Sequence, residues 1–191
     1  MPQRNLREQL VDGGSRAIYE KGFHATSVND IATAADVPKG SVYNHFASKE
    51  ALALEALRRY GASYDLEALR SGDGPPLPRL RAHMTGVIDR TVARGVELGC
   101  LIGNLSVEMA PHKGPLADEA EQMLDAWSAA VAQVLREAQA AGDLDPDLDA
   151  ETAGAFLIDA YEGAVARAKL RRDRAPLDAF MTMTFDRLLS A

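Results

Sequence analysis

The chain has one cysteine, Cys100, one tryptophan, Trp127, and aromatic residues at only 6% of its 191 positions. A single cysteine rules out an intrachain disulfide, which fits a reducing compartment. No apolar run approaches the roughly 18–20 residues that a membrane-spanning helix needs, so no membrane partner is expected. The opening stretch MPQRNLREQ has no apolar core of the signal-peptide kind, and a cytoplasmic protein is expected. Catalytic signatures are missing as well: no phosphate-cradling glycine loop, no HExxH and no nucleophile–base pairing, so neither an enzyme nor a cofactor is expected. His24, His45, His83 and His112 show no metal-ligand spacing, and the acidic run DLDPDLDAE lacks the glycine an EF-hand loop requires.

Positive charge is scarce too. Lys and Arg number 21 against 28 Asp and Glu, a net charge of −7, which argues against a general polyanion binder. The deficit is uneven. Up to Tyr60 there are eight basic and seven acidic residues, and from Gly61 onward 13 against 21. Any surface for nucleic acid therefore belongs to the first third of the chain.

What the chain does have is helical periodicity almost everywhere, with no strand-like alternation. Leu6, Leu10, Gly14, Ala17 and Ile18 share one face of a first helix that KGF ends at 21–23. Ser27, three residues before Asp30, predicts a capping box for a short second helix, and Pro38 opens a third. Ser48 caps a fourth expected to run to about Leu69, and SGDGPPLP at 71–78 reads as a linker. Helices over Leu77–Thr91, 99–110, Leu116–Ala138, from Ala150, and over Leu177–Leu188 complete about nine. The fold class is all-α: an N-terminal three-helix helix-turn-helix domain over residues 1–47, then a larger helical domain over 48–191.

Residues 27–46 carry the decisive pattern. Ile31, Ala32, Val37, Val42 and Phe46 supply apolar contacts between two short helices joined by the bend DVPKG. Such a pair sets one helix across the DNA backbone and offers the start of the next to a groove. The second helix presents Lys39, Ser41, Tyr43, Asn44 and His45, while Gly40 admits a close backbone approach. Lys49, at the start of the following helix, is placed to neutralise a phosphate.

EKGFHATSVNDIATAADVPKGSVYNHFASKEAL, 20–52, resembles the DNA-binding domain of the TetR/AcrR family of one-component transcriptional regulators. The resemblance covers about residues 6–54, and beyond it extends only to helix count and length. It implies a homodimer on palindromic double-stranded operator DNA, released by a small-molecule effector. By position it implies Ser27, Tyr43, His45 and Lys49 on phosphates, with Asn29, Lys39, Ser41 and Asn44 nearest the bases. One departure stands out. Gly13 and Gly14 occupy mid-helix positions where the family has alanine-like residues, each expected to cost about 1 kcal/mol against Ala.

In the remainder, Ala160, Gly163, Ala164 and Ala168 form a small-residue stripe, and the last helix has a wide apolar face. Both mark the last two helices for dimerisation. Cys100, Asn104 and Glu108 recur at i, i+4 and i+8 and are expected to line an effector pocket, with Tyr64, His83, Trp127 and Tyr161 as its walls. The alternatives are a redox- or electrophile-sensing regulator acting through Cys100, whose helix-start position favours the thiolate, and an all-α enzyme with chemistry around Cys100 or Glu108. Some regulators resembling this chain carry such a cysteine and respond to electrophiles or oxidants. Against it, no Lys or Arg stands within five residues and Glu97 is close, so Cys100 is read as part of a pocket wall.

Overall fold

Helices begin where a side chain can receive their free amides and end where the backbone turns. The computed structural model describes residues 5–190, and among these are ten α-helices, a closing π-turn and no strand. The helices are α1 Leu6–Lys21, α2 Val28–Ala34, α3 Gly40–His45, α4 Lys49–Ala62 and α5 Leu66–Ser71. There follow α6 Pro76–Arg94, α7 Leu101–Met109, α8 Pro115–Ala141, α9 Ala150–Arg171 and α10 Ala175–Met183, with the π-turn at Thr184–Leu188. Asn5, Ser48 and Asp149 each accept a backbone N–H of the first turn they cap. The capping box at α2 forms as its spacing predicts: Ser27 Oγ accepts from Asp30 N–H at 3.1 Å, and Asp30 Oδ2 accepts from Ser27 N–H at 2.8 Å.

One expected helix is two. Instead of running from Ser48 to about Leu69, the chain breaks at Asp65, whose φ of 50° and ψ of 57° are left-handed. Its carboxylate accepts the Ala68 N–H at 3.3 Å and so starts α5 afresh. Composition alone reads this stretch as continuous, because Asp tolerates the left-handed region without any glycine to mark it.

The described residues fall into two compact units. The first comprises the chain up to Ser63 with Leu101–Glu121, which hold α1–α4, α7 and the opening of α8. Its core is Leu10, Val11, Ala17, Ile31, Ala32, Val42, Phe46, Leu52 and Ala56. Burying such a leucine or isoleucine contributes roughly 1.5–3 kcal/mol. The two mid-helix glycines of α1 have a packing reason. A Cβ at Gly13 would stand 2.5 Å from the Ala35 backbone nitrogen, and one at Gly14 would strike the Leu52 side chain. The propensity penalty is thus the condition for α1 to lie directly against the end of α2 and against α4, not a weakness of the first helix.

The second unit comprises Tyr64–Cys100 and the chain from Gln122 onward. Leu80, Val87 and Ile88 of α6, Val131 and Leu135 of α8, Leu157 and Ile158 of α9 and Leu177 of α10 are buried in it. Gly154 lets α9 lie close on α8, since a Cβ there would meet Ser128 O at 2.7 Å. The SGDGP linker is held in place by Arg79. Its guanidinium donates to the carbonyls of Leu69, Gly72 and Gly74 at 2.9–3.1 Å and pairs with Glu137. Phe156, Ala160 and Ala164 of α9, Phe180 and Met183 of α10 and Leu188 of the π-turn line an apolar groove of about 400 Å³. Phe156 and Met183 are more than half exposed.

Candidate functional site

In the first unit, α3 is held from beneath by Val42, 1% exposed, and by Phe46 just beyond its end. The rest of its surface is outward. Lys39, Gly40, Tyr43, Asn44 and His45 are exposed, as is Asn29 on α2, and Ser41 is half-buried. A set of hydrogen-bonding side chains on a helix start, anchored by one apolar residue, is what a groove-reading helix requires.

Three residues expected at the DNA or the effector have work inside this unit. Ser27 is exposed, but its hydroxyl belongs to the α2 capping box. Lys49 points inward: its Nζ donates to Phe23 O at 2.7 Å and Thr26 O at 2.8 Å and lies 4.2 Å from the Phe23 ring centroid. Burial pushes its ammonium below the ordinary lysine value, with the charge of Glu108 opposing the shift. Glu108, on α7, receives the same turn from the other side. Its Oε2 accepts from Phe23 N–H at 2.8 Å and its Oε1 from His24 N–H at 2.7 Å. Gly22, with φ of 82°, turns those two amides toward the carboxylate, and a Cβ there would press on it at 2.9 Å. A carboxylate taking the amides and an ammonium taking the carbonyls thus fix the α1–α2 turn.

The second unit gathers five of the expected effector residues. Tyr64 Oη lies 3.3 Å from Cys100 Sγ, and the Tyr64 ring packs 4.6 Å from Trp127. Trp127 Nε1 donates to His83 Nε2 at 3.0 Å, and its ring meets Tyr161 edge-on at 5.2 Å. The Thr91 hydroxyl donates to Val87 O, so its oxygen, 3.3 Å away, accepts from Tyr161 Oη. His83 is lowered to about 4, first by burial and then by the charge of Arg90, with Asp65 opposing. It is therefore a neutral acceptor for the indole. Cys100 is 1% exposed and directly precedes α7. The expected stripe divides: Cys100 belongs to the second unit, whereas Asn104 and Glu108 belong to the first.

Two members of this cluster escaped the sequence reading, Thr91 and Glu162. Glu162 is hydrogen-bonded to the Cys100 thiol and pushed up to about 7 by burial, against the pull of that hydrogen bond. Its Oε1 has no hydrogen-bond partner among the described residues. The signal was available: Glu162 stands four residues after Ile158 and three before Val165, both buried, so it sits in the apolar register of α9. Among the described residues no group of three or more His, Cys, Asp or Glu could hold a metal ion, and no helix is long and apolar enough to cross a membrane.

Comparison with known proteins agrees with this arrangement. Residues 10–56 match the family of bacterial regulatory proteins named after TetR, and residues 76–184 match the tetracyclin repressor-like C-terminal domain. The transcriptional repressor DhaR of a Mycobacterium species is 35% identical over 99% of this chain and 95% of its own. The transcriptional regulator AcuR of Cereibacter sphaeroides is 40% identical, covering 97% and 86%. Among solved structures, a TetR regulatory protein from Rhodobacter sphaeroides superimposes with a TM-score of 0.85 at 34% identity, over 94% of this chain and 96% of that one. Escherichia coli NemR in its reduced form gives a TM-score of 0.82 at 25% identity, over 98% of both chains. With an exposed reading helix on one unit and a buried polar cluster in the other, the chain belongs to the TetR family and is a ligand-responsive, DNA-binding transcriptional repressor.

Proposed function

We propose that the chain binds a palindromic operator as a homodimer, each copy setting α3 in the major groove, and that a small molecule held by the Tyr64–Cys100–Trp127 cluster releases it. The observation that carries this reading is the outward face of α3, with Tyr43, Asn44 and His45 exposed around buried Val42. Tyr43 and His45 meet phosphates, while Asn29, Lys39, Ser41 and Asn44 face base edges. Ser27 and Lys49 act one step back, by holding α2 and the turn before it. A second copy covers the α9–α10 groove, burying Phe156, Met183 and Leu188 with the small-residue stripe beside them. Release follows when the ligand favours the state whose two reading helices no longer match half-sites roughly 34–36 Å apart.

The signal runs along α7. This helix begins at the peptide bond after Cys100, and two turns later its Glu108 grips the amides of the α1–α2 turn. Cys100 acts as a packing residue in this scheme. It is buried, with the Glu162 carboxyl and the Tyr64 phenol for neighbours.

The test is operator binding with duplexes from the gene's own promoter against scrambled DNA. Asn44→Ala is expected to lower operator affinity by about 1–3 kcal/mol while leaving scrambled-sequence binding unchanged. An equal loss on both duplexes would overturn base reading by Asn44. The same complex is expected to contain two chains per half-site pair by solution mass measurement.

A further inference from the structure

We infer that Glu162, with the Cys100 thiol and the Tyr64 hydroxyl behind it, anchors the effector, and that the effector is a small amine bound as its ammonium ion. The inference rests on the reading of the second unit as the effector-binding part.

The argument starts from the direction of the hydrogen bonds. A thiol and a phenol each have one proton to give, and a carboxylate has none. With Cys100 hydrogen-bonded to Glu162, and Tyr64 Oη 3.3 Å from the same sulfur, the Tyr64 O–H can donate to Sγ and the Cys100 S–H to the carboxylate. The Tyr64 and Cys100 donors then both point toward Glu162, whose Oε1 is buried with no partner among the described residues. A buried polar atom left so is costly, and what satisfies a carboxylate oxygen is a donor.

Charge decides which donor. Burial is the largest influence on Glu162 and the Cys100 hydrogen bond opposes it; among the described residues no lysine, arginine or histidine shifts it. No cationic side chain of the described residues offsets the ionised carboxylate. An ammonium supplies both the missing donor and the missing charge. A carboxylic acid in the same place would set two carboxyl groups against each other with no basic side chain to separate them. The neighbouring rings favour the same choice. Tyr64, which reaches the thiol, packs on Trp127, and aromatic faces attract organic cations most strongly where water is excluded.

Trp127 is the only tryptophan of the chain, so its emission reports directly on this cluster. Full-length protein is titrated with butylamine and benzylamine, with butanol and benzyl alcohol, and with butyrate and benzoate. The amines are expected to bind about ten- to a hundredfold more tightly than the alcohols, and the acids most weakly. Glu162→Gln, nearly isosteric and checked for folding by circular dichroism, is expected to abolish the amine preference while alcohol binding changes little. Glu162→Asp keeps the charge but withdraws it by one methylene, so it weakens the amines and preserves the ranking. Acids or alcohols binding as tightly as amines would overturn the inference. So would an amine preference that survives Glu162→Gln, or silence from every probe. Operator binding by the unliganded protein is measured in parallel: if it persists while the amines fail, only the ligand assignment falls. If it is absent while the amines bind, the regulatory reading falls instead.

Discussion

In the first unit, the Glu108 carboxylate receives the Phe23 and His24 amides while the Lys49 ammonium donates to carbonyls of the same turn. In the second, the Glu162 carboxyl meets a thiol and, among the described residues, keeps one buried oxygen without a partner. Both carboxyls belong to helices with apolar faces. The difference lies in what surrounds them. A carboxylate that meets backbone amides and a neighbouring cation is part of the scaffold, and its removal undoes a turn. One that meets neither costs the fold something and retains an unused capacity to bind.

The comparison breaks most severely if the frame around the matched turn is disturbed. Gly13→Ala drives a Cβ into the Ala35 backbone, and we expect it to cost about 2–4 kcal/mol despite the better helix propensity of alanine. Chemical denaturation measures this; a neutral or stabilised variant would show that α1 can shift on α2 freely.

The next largest effect sets the two carboxyls side by side. Glu108→Gln removes charge-assisted hydrogen bonds to two amides, and is expected to destabilise by about 1–2 kcal/mol and to weaken operator binding. Glu162→Gln at pH 8 is expected to stabilise, on the order of 1–2 kcal/mol, because it removes a buried charge that lacks a counter-ion. Equal signs for the two substitutions would end the contrast.

The smallest effect is its dependence on pH. Glu162 is raised from its ordinary value of 4.5 to about 7, so the fold prefers the protonated form. Its contribution is full below about pH 4.5 and is lost as the pH rises through 7. The gain from Glu162→Gln should therefore vanish near pH 4.5. His83 is lowered from 6.5 to about 4, so the fold prefers the neutral ring. Its contribution is full above 6.5 and is lost as the pH falls through 4. His83→Gln, which keeps an acceptor for the Trp127 indole, should remove about 1 kcal/mol of the acid-side loss in stability. Thermal melts from pH 4 to 8 separate the two slopes by their opposite signs.

Much of this was legible from residue order. The α2–α3 pair followed from Ser27 and Asp30 three apart, Pro38 at a helix start, and apolar residues spaced for two short helices. Tyr64, His83, Cys100, Trp127 and Tyr161, named from type and spacing, share one cluster. The misreadings have physical sources. Periodicity places a residue on a face but does not say what the face meets, so Glu108 was grouped with Cys100 although its partners lie more than eighty residues earlier. Propensity read Gly13 and Gly14 as a loss because the cost of a side chain there depends on a helix that local sequence cannot see.

Sequence by itself determined the all-α class, the helix-turn-helix and helix starts such as those at Ser27, Ser48 and Asp149, because these depend on hydrogen bonds and apolar spacing within a few residues. Tertiary structure alone decided that Lys49 and Glu108 clasp one turn and that Glu162 stands unmatched behind Cys100. The reason is that a charge takes its meaning from its nearest partner in space. In this chain those partners come from helices far apart in sequence.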